Sequence, residues 1–111
     1  MNTINIKALS VNRAWQGKRF KTPAYKSYER IVHSMLPRIT IPDGYLALTL
    51  EFGFSSKLAD FDNGIKPFID ILQKKYGFND NKIKSAVITV NNDVKNGDEY
   101  ISFSLTGRSS K

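Results

Sequence analysis

The stretch YLALTLEFGFSSKLADFDNGIKPFIDILQKKYG, residues 45–77, changes its hydrophobic period once, and that change decides the fold. Up to Phe54 the apolar residues alternate, so Leu46, Leu48, Leu50, Phe52 and Phe54 share one face, as expected of a sheet strand covering a core. From Ile65 the spacing becomes i, i+3, i+4, i+7, i+11 through Phe68, Ile69, Leu72 and Tyr76, a helical stripe that Gly77 ends as a C-terminal cap. Pro67 has no amide proton to donate and fits only in a first turn, which puts the helix start near Asn63 or Gly64. Asp60 and Asp62 therefore stand just before a helix N-terminus.

Working towards the N-terminus, Pro42-Asp43-Gly44 reads as a turn. Thr22-Pro23 is an N-cap and first-turn pair, followed at helical spacing by Tyr25, Tyr28, Val32, Met35 and Leu36 until Pro37 stops the pattern. Residues Ser10 to Lys21 (SVNRAWQGKRFK) show no period and read as a long exposed loop. Thr3 to Ala8 alternates and reads as a first strand, with Ile4, Ile6 and Ala8 on one side. Towards the C-terminus, Ser85–Val90 and Tyr100–Thr106 read as strands, and Asn96-Gly97 between them is a hairpin signal. The element order β-α-β-α-β-β predicts an α+β (mixed α/β) domain, residues 1–111, with a mixed sheet and two main helices. A chain of 111 residues has material for one such core.

Composition excludes several chemistries. With no Cys there is no disulfide framework, thiolate zinc site or cysteine nucleophile, which suits a reducing cytoplasm. No apolar run approaches the roughly 20 residues of a membrane span, so a soluble cytoplasmic protein without membrane partners is expected. The only histidine, His33, lies among helix residues, and no Ser-His-Asp arrangement or glycine-rich phosphate loop can be built. The net charge of +7 comes wholly from residues 1–42, which hold eight basic residues against Glu29, while residues 43–111 balance nine against nine. Such asymmetry suits a protein that approaches a polyanion, and equally a basic surface that only keeps the protein in solution. Within it, Asn12, Arg13, Lys18, Arg19 and Lys21 mix donors for phosphates with Trp15 and Phe20, aromatic surface able to stack on bases or to anchor the loop.

The densest chemical signal is Ala59-Asp60-Phe61-Asp62-Asn63-Gly64-Ile65-Lys66, followed by Asp80 in Phe78-Asn79-Asp80. Two Asp at i and i+2 of extended chain point the same way, and hard cations such as Mg²⁺ need only two or three protein carboxylates beside waters and substrate oxygens. Lys66, one turn into the helix, can lean back towards its N-terminus and meet a scissile phosphate, and Asp70 four residues on can hold it. The helix carries the chain about 20 Å away from Asp62, so the return of Asp80 depends on tertiary packing. A plainer assignment remains open, with Asp62 or Asn63 as an N-cap and Lys66–Asp70 as a surface i, i+4 pair.

At these residues the sequence resembles the RusA family of Holliday junction resolvases, small enzymes of phages, prophages and bacteria that act in DNA recombination and repair, over nearly the whole chain. Ser10-Val11-Asn12-Arg13 resembles the family's early Asn-Arg element. Its central Asp-x-Asp-Asn-x-x-Lys signature, continued by a helical Asp and Leu, is matched by Asp60-Phe61-Asp62-Asn63-Gly64-Ile65-Lys66 with Asp70 and Leu72. Gly77-Phe78-Asn79-Asp80 resembles the closing acidic pair, of which the second acid is the catalytic one; here Asn79 replaces the first. The resemblance implies a homodimer that binds four-way DNA junctions and makes paired symmetric nicks with Mg²⁺, or Mn²⁺ in its place. Carried over by position, Asp60, Asp62 and Asp80 are implied as metal ligands and catalytic residues, with Lys66 assisting at the phosphate. The alternatives that the residues leave open are a non-catalytic nucleic-acid-binding protein and a metal-dependent nuclease acting on other branched nucleic acids.

Overall fold

The computed structural model describes residues 1–9, 15–16, 20–57 and 64–107. Its elements in chain order are β1 (Asn2–Ile4), β2 (Trp15–Gln16), β3 (Phe20–Lys21), α1 (Pro23–Met35), β4 (Leu46–Gly53), α2 (Ile65–Tyr76), a 3₁₀ turn (Asp80–Lys82), β5 (Ile83–Asn91) and β6 (Tyr100–Gly107). A four-stranded sheet has the order β1-β6-β4-β5, in which only the β4–β5 pair is parallel. The architecture is thus α+β with a mixed sheet and two helices, as the element order predicts.

β4 and β6 are the two interior strands, and the alternation of β4 explains its place there. Leu46, Leu48, Leu50 and Phe52 are all buried on one face, in register with Leu105, Phe103 and Ile101 of β6. Against that face pack Tyr28, Val32 and Leu36 from α1 or its C-terminal end and Phe68, Ile71 and Leu72 from α2. Both helices therefore cover the same side of the sheet, in two layers. The other face carries small and polar side chains, among them Thr3, Thr49, Glu51, Ser102 and Ser104, and no described helix crosses it.

Local chemistry sets the helix ends where the sequence predicts them. The Thr22 hydroxyl accepts from the Tyr25 amide at 3.1 Å, and Pro23 occupies the first turn of α1. Gly64 precedes α2, Pro67 lies in its first turn, and Gly77 closes it at φ 72°, a left-handed conformation suited to glycine. The buried face of α2 is centred on Pro67, Phe68, Ile71 and Leu72; Ile71, outside the stripe read from the sequence, is fully buried.

Three expectations change. The first strand is three residues long because the Ile6 amide turns back to the Ile4 carbonyl at 3.2 Å and leaves the ladder, although Ile6 and Ala8 still pack on the core. Part of the expected loop forms the two-residue pair of β2 and β3. The Asn96-Gly97 turn exists, with Gly97 at φ 99° and the Asp98 amide bonded to the Lys95 carbonyl at 2.9 Å, yet β5 and β6 do not pair. β4 lies between them, so residues 92–99 carry the chain across its end, where the Val94 amide bonds to the Phe54 carbonyl. Among the described residues, no helix is long and apolar enough to cross a membrane.

Candidate functional site

The parallel crossover from β4 through α2 to β5 arranges the residues singled out by sequence. Asp60 and Asp62 lie outside the described residues, as do Asn12, Arg13, Lys18 and Arg19; Lys21 is placed in β3. Gly64, two residues after Asp62, is buried at the C-terminal end of β4, where a Cβ would meet Ala8 at 3.2 Å and the Phe52 ring at 3.3 Å. This close approach is what a glycine at the entry to α2 permits.

Lys66 and Asp70 follow on the exposed side of α2. The Lys66 ammonium stands 3.6 Å from the Asp70 carboxylate, the i, i+4 pair expected. Lys66 is 65 % exposed, so the pair adds little to stability, about 0.3–0.5 kcal/mol at most, and its effect is to restrict where the ammonium sits. Asp70 also accepts from the Gln73 side-chain amide at 3.5 Å, and the Gln73 carbonyl in turn accepts from the Asp80 backbone amide at 2.9 Å. Lys66, Asp70, Gln73 and Asp80 therefore form one polar line along α2. Gln73 belongs to no motif, although its place at i+3 from Asp70 and i+7 from Lys66 puts it on the same helical face.

Beneath this line lies Tyr25 of α1, fully buried. Burial, and then the negative charges of Asp70 and Glu29, push its phenol up to about 12, so it stays protonated beside Asp70 at neutral pH. Glu29 also binds Lys74 across the helix pair, at 2.7 Å. Further along the helices Lys26, Arg30, His33 and Lys74 line a shallow surface recess with Glu29. This gathers cations of α1 onto the helical layer, whereas the sequence pattern points to the preceding loop as the basic surface. His33 is exposed there, in keeping with a surface role.

Asp80 opens the 3₁₀ turn, with Asn79 capping it by accepting from the Asn81 amide at 3.1 Å. Its side chain is exposed, and among the described residues no hydrogen bond or ion pair engages its carboxylate. Asn79, at the position where the resembling family has another acid, thus serves as the cap. Beside it a recess of about 340 Å³ is lined by Asp43, Gly44, Gly77, Asn79 and Lys82.

Asp80 and Gly64 stand at opposite ends of α2, whose 12 residues span about 18 Å. Among the described residues no three His, Cys, Asp or Glu side chains are grouped to hold a metal ion. The donor chemistry of Asp80 itself suits a hard cation, being a carboxylate that no ammonium among the described residues engages. No protein-family model matches the chain, and no curated protein matches it either.

Proposed function

We propose that the chain is a metal-dependent endodeoxyribonuclease that cuts four-way DNA junctions as a homodimer, by paired symmetric nicks, in the manner of the RusA family it resembles. The observation that carries this reading is the conjunction of Asp60, Asp62 and Asp80 in sequence with an Asp80 carboxylate that is exposed and not engaged by any described group. A carboxylate serving only as a cap or an ion-pair partner would be occupied. The activity would be phosphodiester hydrolysis in recombination and repair of branched DNA.

In this reading Asp60, Asp62 and Asp80 would supply the carboxylates for Mg²⁺ or Mn²⁺, and Asp80, at the far end of α2 from Gly64, would join Asp60 and Asp62 only from the other copy of the homodimer. When bound, the ion supplies Lewis acidity at the phosphate and lowers the pKa of a coordinated water. Lys66 presents its ammonium in the first turn of α2, and Asp70 restrains it so that it can meet a non-bridging phosphate oxygen. Gln73 orients the backbone at Asp80 through its 2.9 Å hydrogen bond. Asn12, Arg13, Lys18, Arg19 and Lys21, together with the cations of α1, bind the DNA backbone, a sequence-independent attraction.

A second reading, a nucleic-acid-binding protein without catalysis, is favoured by the separation of Asp80 from Gly64 along α2. Incubating a labelled four-way junction and an equal-length linear duplex with Mg²⁺ or with chelator separates the two. Paired nicks in the junction alone, only with metal, and lost in Asp62→Asn with junction binding intact, are expected. Full activity of Asp62→Asn overturns the assignment of the carboxylates; binding without cleavage by the unaltered protein supports the second reading. Equal cutting of other branched substrates makes the enzyme a less selective nuclease.

A further inference from the structure

At the start of β4, separate stretches of chain converge on one recess. The turn before β4 brings Pro42 and Asp43, the C-terminal end of α2 brings Tyr76, and the 3₁₀ turn with the residues leading into it brings Phe78, Asn79 and Lys82. The recess holds about 340 Å³, within the roughly 300–1,000 Å³ usual for small-ligand sites. Asp80 stands beside it, next to Asn79 on the turn that Lys82 closes.

The lining divides into flat apolar surface and a few polar tips. Pro42, Tyr76 and Phe78 are half-buried, and the Tyr76 ring is held in place by its hydroxyl, which donates to the Pro37 carbonyl at 2.6 Å. The polar tips are the exposed side chains of Asp43, an acceptor, and of Asn79 and Lys82, both donors. The Asn79 side-chain oxygen already accepts from the Asn81 amide at 3.1 Å, which leaves its NH₂ group for another acceptor. Asp43 and Lys82 carry opposite charges on one recess, yet among the described residues no ion pair or side-chain hydrogen bond engages either of them.

A ligand that satisfies all of these groups has a flat, largely apolar body with donors and acceptors on its edge. A phosphate does not fit that description. It only accepts, and here it would face the Asp43 carboxylate and the C-terminal carbonyls of α2, the negative end of the helix dipole. A nucleobase does fit, because its faces stack on rings while its edge sets a donor beside an acceptor. We propose that this recess receives one unstacked nucleobase of the nicked strand, next to the scissile phosphate. Asp43 accepts from its exocyclic amino group, and Asn79 and Lys82 donate to the neighbouring acceptors. The inference rests on the nuclease reading above and gives that enzyme a source of cut-site choice.

The same groups select among bases. A carboxylate only accepts, so cytosine, adenine and guanine, each with an amino group, suit Asp43, whereas thymine sets a carbonyl oxygen against it. Loss of such a contact is worth about tenfold or more in discrimination. To enter, the base has to leave its stack, which costs least where pairing is already interrupted, as it is beside a branch point. Asp43, Asn79 and Lys82 thereby determine where the strand is cut, while the metal carboxylates act on the phosphate.

One test needs no cleavage. Titrating the metal-free protein with dCMP or dTMP, which share sugar and phosphate, should move the amide resonances of Gly44 and Gly77 in the recess wall, with dTMP about tenfold weaker. Asp43→Asn, whose amide can donate to the thymine carbonyl, should abolish that difference, and inorganic phosphate should leave these amides unmoved. The second test maps nicks in junctions whose arms carry every base at each position. The unaltered protein should place an amino-bearing base beside the nick, and Asp43→Asn should admit thymine there about tenfold more often. Amides that do not move, amides that move equally with dCMP, dTMP and inorganic phosphate, or an identical nick distribution in Asp43→Asn overturn the proposal. Base-selective shifts in a protein that never cuts a junction refute the nuclease reading alone. Junction cutting without base-selective shifts, at positions that Asp43→Asn does not alter, refutes the base recess alone.

Discussion

Replacing Gly53 with alanine tests how the end of β4 is built, at the point from which the chain leaves for Asp60 and Asp62. A Cβ built on Gly53 would enter the Tyr100 ring, at 2.8 Å from Cζ and closer still to Cδ1 and Cε1. Carbon atoms pack best at about 3.5–4.0 Å, so the ring has to move by about an ångström or more. It is not free to do so. The Tyr100 hydroxyl donates to the Glu51 carboxylate and receives a 3.5 Å hydrogen bond from the Asn91 amide; the bond to Glu51, first among the causes, holds the phenol above its ordinary value. Overpacking costs about 1–3 kcal/mol, and loss of a hydrogen bond to a charged group about 1.5–3. The gain from replacing glycine in a strand offsets roughly 0.5–1 kcal/mol. The net loss is about 3 kcal/mol, a large part of a small domain's stability. At about 4 °C per kcal/mol the melting midpoint should fall by about 12 °C in a calorimetric scan. A double-mutant cycle isolates the cause: in a Tyr100→Ala background the same Gly53→Ala change should cost under about 0.5 kcal/mol. An equal loss in both backgrounds would refute the packing argument.

Two further outcomes follow from the same geometry and from the basic loop. Glu99 is held below the usual glutamate range first by the Ser55 hydroxyl at 2.6 Å and also by the Gly97 amide at 2.8 Å. A depressed carboxyl stabilises the fold above its unfolded pKa and loses that contribution as pH falls through the folded one, so the deficit of Ser55→Ala in chemical unfolding should be largest near neutrality and shrink on acidification. A deficit independent of pH would assign Ser55 a packing role only. Lys18→Ala with Arg19→Ala should weaken junction binding and lower the slope of log affinity against log salt by about 2, one for each phosphate that is no longer neutralised; an unchanged slope would move the DNA surface to the cations of α1.

Much of this molecule is written in local sequence, because the forces concerned act over a few residues. The period of two in residues 45–54 specifies β4 and its buried face, Thr22-Pro23 and Gly77 set helix ends, and Asn96-Gly97 makes its turn. Spacing alone also groups Lys66 with Asp70 and Asp60 with Asp62, while the family resemblance adds Asp80 as a third candidate ligand. What it cannot give is the choice among distant partners. The turn at Asn96-Gly97 favours pairing of the flanking strands, but β4 is the most apolar strand and has two ladders to satisfy, so it takes β5 on one side and β6 on the other. That competition leaves the outer edge of β5 unpaired among the described residues, while the length of α2 itself sets Asp80 at the end away from Gly64. The link from Asp70 through Gln73 to the backbone of Asp80 likewise exists only because the chain turns back at Gly77. Residue types determine which chemistry is available; the non-local competition for strand edges decides which of those residues meet.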